Sequence, residues 1–189
     1  MDYKQLKNHV RIENIELLKY INKKEIEWLK KHFAFINSLL MGKTDRSETK
    51  YKNFINVQGD MPDVTLEMIE KAQWHLQHYP VTTVFTQMQE DKQNDPNSVK
   101  MVRAGDQALW FGRGMTGYGD WHLGVYGYKR NPLEMYSGLE VTQEEQVEKL
   151  EQLRWLKSGW QIGVLSVQYN GMEINTPEDL EEWHHKNSH

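Results

Sequence analysis

Along the first forty residues, apolar side chains recur at Ile12, Ile15 and Leu18, then at Ile26, Leu29, Phe33, Ile36 and Leu40. Steps of three and four place such positions on one stripe of a helix. Lys19, Lys23, Lys24, Glu27, Lys30 and Lys31 fall between them and make a charged face. The pattern predicts an N-terminal helical segment over residues 1–45, as one helix or as two joined near Asn22. It would dock on the rest of the chain or pair with a second copy, so a homodimer through this helix is the assembly it suggests.

An α+β domain is expected over residues 46–189. Residues 42–63, GKTDRSETKYKNFINVQGDMPD, are polar and charge-rich and read as a connection whose inner FINV forms a short strand. DVTLEMIEKAQWHLQHY then predicts a helix capped by Asp63 or Thr65, with Leu66, Ile69, Ala72, Leu76 and Tyr79 facing inward and Pro80 closing it. Beyond Pro80 the period changes to alternation. Strands are expected over 81–88, 99–104, 107–112 and 120–129, with a polar loop at 90–98 and a tight turn at 104–106. No helix-length crossover separates these runs, so they read as an antiparallel meander.

Thr142 and Glu145 have capping-box spacing, and Val147, Leu150, Leu153 and Leu156 continue one helix to Ser158-Gly159. QIGVLSVQYNGMEI reads as two strands about an Asn170-Gly171 turn. Thr176, Pro177, Glu178 and Asp179 open a final helix through Leu180 and Trp183. The fold class is therefore α+β: an antiparallel sheet of about five or six strands with helices on one face and an N-terminal helical segment. The string SVQYNGMEINTPEDL, about fifteen residues, resembles the closing hairpin and helix of PDZ domains. The resemblance implies a strand-turn-strand-helix ending; no carboxylate-binding loop precedes it, so no peptide-binding residue is carried over.

Composition narrows the chemistry. A chain of 189 residues without cysteine excludes disulfides, a thiolate nucleophile and cysteine-rich zinc sites. No apolar run approaches membrane-spanning length, and the first residues lack the pattern of a signal or transit peptide, so a cytoplasmic protein with no membrane partner is expected. The net charge of −4 hides a basic head, +5 over residues 1–52, and an acidic tail, −6 over residues 140–189. These blocks suit packing together or meeting an anionic partner.

The densest chemistry lies in FGRGMTGYGDWHLGVYGYKR, residues 111–130. Gly112, Gly114 and Gly117 satisfy the dinucleotide-binding spacing, but a strand follows where a helix is required, and kinase catalytic and P-loop signatures are absent. The glycines instead allow positive φ near 113–119 and a bulge or close packing at Gly124 and Gly127. Alternation puts Trp121, Leu123 and Val125 on one face of the strand and His122, Gly124, Tyr126 and Tyr128 on the other. With flanking cations the candidate binding strip is Trp110, Arg113, Tyr118, His122, Tyr126, Tyr128, Lys129 and Arg130.

No catalytic residue is assigned. His122 is a general acid-base candidate without a paired acid, and His75-x-x-His78 lacks further ligands, so neither metal nor cofactor is expected. The leading reading is a non-enzymatic cytoplasmic binding protein acting on a protein partner, such as a phage or mobile-element accessory protein or inhibitor. The alternatives are an enzyme acting on nucleotides or nucleic acid through the strip, and a single-stranded nucleic-acid binder.

Overall fold

Strand formation in the central part of the chain follows the alternation closely. In a computed structural model, which describes residues 34–35 and 52–187, the strands are β1 (Ala34–Phe35), β2 (Asn53–Val57), β3 (Val81–Thr86), β4 (Lys100–Ala104), β5 (Gln107–Gly112), β6 (Asp120–Lys129) and β7 (Ile162–Ser166). They form one sheet in the order β1-β2-β6-β3-β7-β5-β4. The start of β6 also pairs with β4, Lys100 opposite Trp121 and Met101 opposite Asp120. The ring β6-β3-β7-β5-β4 thereby closes into a barrel-like arrangement.

This corrects the expected antiparallel sheet. β1 runs parallel to β2 and β7 parallel to β3, while the remaining pairs are antiparallel, so the sheet is mixed. The meander was read from neighbours in sequence, whereas β7 returns beside β3 after a long crossover that contains helices, and such a crossover permits parallel pairing. Within the segment expected to be helical, Ala34–Phe35 form a strand. The remainder of that N-terminal helix, and the dimer expected through it, lie outside the described residues.

The helices are α1 (Leu66–His75), α2 (Arg130–Met135), α3 (Gln143–Glu148), α4 (Gln152–Lys157) and α5 (Pro177–Lys186). They cover both faces of the sheet, not one. Trp121, Leu123 and Val125 of β6 bury against Met68, Ile69 and Ala72 of α1. Tyr126 and Tyr128, on the opposite face, pack with Phe54, Leu153 and Trp155. Each large apolar side chain removed from water in this way contributes roughly 1.5–3 kcal/mol, so both cores are needed.

Two glycines make the sandwich possible. At Gly127 a Cβ would lie 2.4 Å from Thr82 Oγ1 and 3.0 Å from the Ala72 carbonyl. The glycine lets α1 sit close enough for Thr82 Oγ1 to donate to that carbonyl at 2.7 Å. At Gly124 the β3–β6 register jumps, Thr83 facing Tyr126 while Val84 faces Leu123. A Cβ there would fall 2.2 Å from Gln58 Oε1, so the space left by the missing side chain is filled by Gln58.

Capping was legible and holds. Thr65 accepts from Met68 N at 3.4 Å, Thr142 from Glu145 N at 3.2 Å and Thr176 from Asp179 N at 3.2 Å. The single helix expected from Thr142 to Ser158 is instead two, broken where Lys149 adopts φ 55°. The Asn170-Gly171 hairpin does not form, and the PDZ-like ending fails with it: residues 167–175 run as an irregular segment into α5. Tertiary contacts override the turn preference. Gly171 is required because a Cβ would lie 2.5 Å from Asp63 Cβ and 2.6 Å from the Tyr169 ring. No helix among the described residues is long and apolar enough to cross a membrane.

Candidate active site

Segments far apart in sequence converge on a cleft of about 650 Å³. Its floor is the polar face of β6, His122, Tyr126 and Tyr128. One wall is the end of β2 and the residues after it, Asn56, Gln58, Gly59 and Asp60. Asn97, Val99 and Arg113 form a second wall, and the helical corner Lys149–Gln152 with Tyr136 and Trp155 a third. Glu173, Ile174 and Asn175, from the segment before α5, complete it.

The floor is rigid and uncharged. His122 is 3 % exposed and its ring meets Phe111 edge-on at 5.1 Å and Tyr126 at 5.2 Å. Thr83 Oγ1 gives its proton to the Val125 carbonyl at 2.8 Å. His122 Nε2, 3.0 Å from that hydroxyl, is therefore the donor, which fixes the neutral tautomer. Burial, with the Arg113 charge behind it, pushes the His122 pKa down to about 3, which corrects its candidacy as an acid-base group near neutral pH. Tyr126 and Tyr128 stack at 6.0 Å, and burial holds both phenols well above their ordinary range.

Arg113 is positioned by a lattice of local bonds. Its backbone N–H donates to Glu148 Oε2 at 2.7 Å, and its guanidinium donates to the Asn97 carbonyl. Beneath it runs Lys100, 1 % exposed, whose ammonium donates to the Asp95 carbonyl and, at 3.4 Å, to the Arg113 carbonyl. The glycine-rich turn needs its positive φ at Gly117 and Gly119, 78° and 99°, as expected. The turn is thus a support for Arg113 rather than a phosphate loop.

The acidic wall is built differently. Ile174 N–H donates to the Asp60 carbonyl at 2.9 Å, Met172 N–H to Asp63 Oδ2 at 3.1 Å, and the Trp183 indole to Asp63 Oδ1 at 2.8 Å. From the other side Asp179 Oδ2 accepts from Asn175 N and Thr176 N at 2.9 and 2.8 Å. These bonds hold Glu173 inside, where burial first and the Asp60 charge second raise its pKa to about 7. A carboxyl raised by burial and by a neighbouring carboxylate at a cleft marks a functional-site candidate.

Of the strip expected from sequence, the cleft gathers Arg113, His122, Tyr126 and Tyr128. Trp110 packs against the core, and Tyr118 is 60 % exposed on the turn. Lys129 and Arg130 stand at the far end of β6, where Arg130 pairs with Glu134 at 3.1 Å; these four residues do not line the cleft. The sequence reading missed Asp60, Gln58, Glu151, Gln152 and Glu173. The polar QGD run directly after the FINV strand was the available signal for the first two. His75 and His78 belong to no cluster suited to a metal, and none of three or more such ligands occurs among the described residues.

No family model matches the chain. Its sequence is 33 % identical over 183 residues to the 3-deoxy-manno-octulosonate cytidylyltransferase of a Nitratiruptor species, covering 82 % of this chain and 76 % of that protein. The 3-deoxy-manno-octulosonate cytidylyltransferase of Rickettsia bellii is 33 % identical over 171 residues, with 82 % and 70 % covered. Among solved structures, CMP:2-keto-3-deoxy-manno-octonic acid synthetase complexed with CTP superposes with a TM-score of 0.70 at 28 % identity, over 79 % of this chain and 66 % of that one. The chain therefore spans about two thirds of that solved structure, with a nucleotidyltransferase-like fold. These similarities indicate an enzyme. They overturn the expectation of a non-enzymatic protein-binding, phage-type accessory or inhibitor, and they favour the alternative of an enzyme acting on nucleotides.

Proposed function

Because the chain belongs to the 3-deoxy-manno-octulosonate cytidylyltransferase family, we propose that its cleft transfers a cytidylyl group from CTP to an acidic sugar of the 3-deoxy-manno-octulosonate kind. A hydroxyl oxygen of the sugar attacks the α-phosphorus of CTP, the bond from that phosphorus to the β-phosphate bridge oxygen breaks, and pyrophosphate leaves with the electron pair. The hydroxyl proton passes to solvent or a cleft carboxylate. Catalysis of this kind is chiefly positioning and charge stabilisation. The observation that carries the reading is one cleft that combines a locked cation, Arg113, with a shielded carboxylate pair, Asp60 and Glu173, on a polar aromatic floor.

Arg113 suits the anionic groups of the substrates, and its guanidinium geometry favours phosphate or carboxylate oxygens. Tyr126, Tyr128 and Trp155 supply flat walls, and Gln58, Asn97 and Gln152 supply amides for hydroxyl groups. A triphosphate travels with a divalent cation, a hard ion that takes one or two carboxylates with phosphate oxygens completing its shell. Asp60 and Glu173 fit that donor set, since a cation would relieve their mutual repulsion. The absence of cysteine and the nature of CTP both suit work in the cytoplasm. The test is pyrophosphate release from CTP on addition of 3-deoxy-manno-octulosonate. Release dependent on both substrates is expected; none with any acidic sugar of this class would refute the reading.

A further inference from the structure

Lys149 lines the cleft and, among the described residues, is the one non-glycine residue with positive φ, at φ 55° and ψ 46°. The left-handed region crowds an L side chain against the backbone, which is why glycine is the usual residue just past a helix end. Lys149 occupies that position on α3. Its own N–H donates to the Glu145 carbonyl, and Leu150 N–H reaches the same carbonyl at 3.3 Å. The cap uses only the backbone, so glycine would serve the fold at least as well.

The ammonium has no structural employment of its own. It makes no ion pair or side-chain hydrogen bond among the described residues. The preceding carboxylate, Glu148, is taken by the Arg113 and Gly114 amides at 2.7 and 3.4 Å. What remains is an unengaged cation held by a strained backbone at a cleft that already carries Arg113. An observed strain of this kind at a cleft points to function.

We propose that Lys149 is an anion-binding residue of the cleft, taking a phosphate of the triphosphate or the carboxylate of the sugar acid, and that this charge explains a lysine where glycine would fit. The inference rests on the cytidylyl-transfer reading and deepens it.

The experiment compares the wild-type chain with Lys149→Met, Lys149→Gly and Lys149→Arg, measuring binding of CTP and of 3-deoxy-manno-octulosonate separately by calorimetry, and the Tm of each protein. Lys149→Met removes the charge and keeps the strain; it should weaken one of the two ligands by about fivefold, as expected for an exposed charge contact. Which ligand weakens identifies the anion. Lys149→Arg, which keeps the positive charge, should retain affinity within about twofold. Lys149→Gly should weaken the same ligand while raising Tm by about 2 °C, because the strain is released. Unchanged affinity for both ligands in Lys149→Met, or a lower Tm in Lys149→Gly, would overturn the inference alone. A wild-type chain that binds neither ligand would overturn it together with the reading it rests on.

Discussion

On one face of β6, Trp121, Leu123 and Val125 meet Met68, Ile69 and Ala72 of α1 in a mainly apolar core. On the other face His122, Tyr126 and Tyr128 floor a cleft that also holds Asp60 beside Glu173. Both faces are shielded from water, and on the second that shielding falls on the titratable groups of the cleft. The difference teaches that one strand divides two tasks by its two-residue period: the α1 face stabilises, and the cleft face keeps polar groups in a strained electrostatic state that substrates can relieve.

The largest effect is expected where the apolar face is cut. Leu123→Ala should lower unfolding free energy by about 2–5 kcal/mol in urea titrations, with ligand affinities of the remaining folded protein unchanged. A loss below about 1 kcal/mol would show that this face does not carry the core. Next comes Glu173→Gln. A carboxyl whose folded pKa lies near 7, above its unfolded value of 4.5, stabilises most at pH below 4.5, and that contribution is lost as pH rises through 7. Removing it should raise stability at pH 8 by about 1–2 kcal/mol once solvent screening is allowed for. It should also flatten the stability profile between the unfolded and folded pKa values, while lowering turnover. A variant less stable than wild type at pH 8 would break the comparison.

Asp63→Ala tests the anchor between the two regions. It strips partners from the Trp183 indole and the Met172 amide, and a loss of about 1–3 kcal/mol follows, accompanied by lower turnover because the Glu173 segment loosens. Turnover kept at the wild-type level would detach Asp63 from the site. The smallest effect concerns His122. Its ring carbon and proton NMR shifts should not titrate between pH 5 and 8, and a midpoint near the ordinary histidine value of 6.5 would contradict the buried neutral ring.

How far the sequence revealed this division depends on the range of the cause. Thr65, Thr142 and Thr176 were legible as caps because the bonds they make span three residues. The alternation of Trp121, Leu123 and Val125 against His122, Tyr126 and Tyr128 was legible for the same reason. The partnership of β7 with β3 was not, since nothing local in GVLS states which strand it will join. The cleft was half legible: Arg113, His122, Tyr126 and Tyr128 share one strip, whereas Asp60 read as linker and Glu173 as hairpin. Those two meet through Asp63 and the Ile174 amide, contacts across more than a hundred residues. Lys129 and Arg130 show the converse error: nearness in sequence suggested a shared site, but Lys129 follows Tyr128 on a strand whose successive side chains face opposite sides, and neither cation lines the cleft.

The most direct measurement is pyrophosphate release from CTP and 3-deoxy-manno-octulosonate by wild type, Arg113→Met and Lys129→Met at equal folded concentration. Wild type should release pyrophosphate only with both substrates. Arg113→Met should fall by about 100-fold or more, in line with loss of a charge-stabilising group, and Lys129→Met should match wild type. Equal losses in the two variants, or no release by the wild-type chain, would contradict a cytidylyl-transfer site in the cleft.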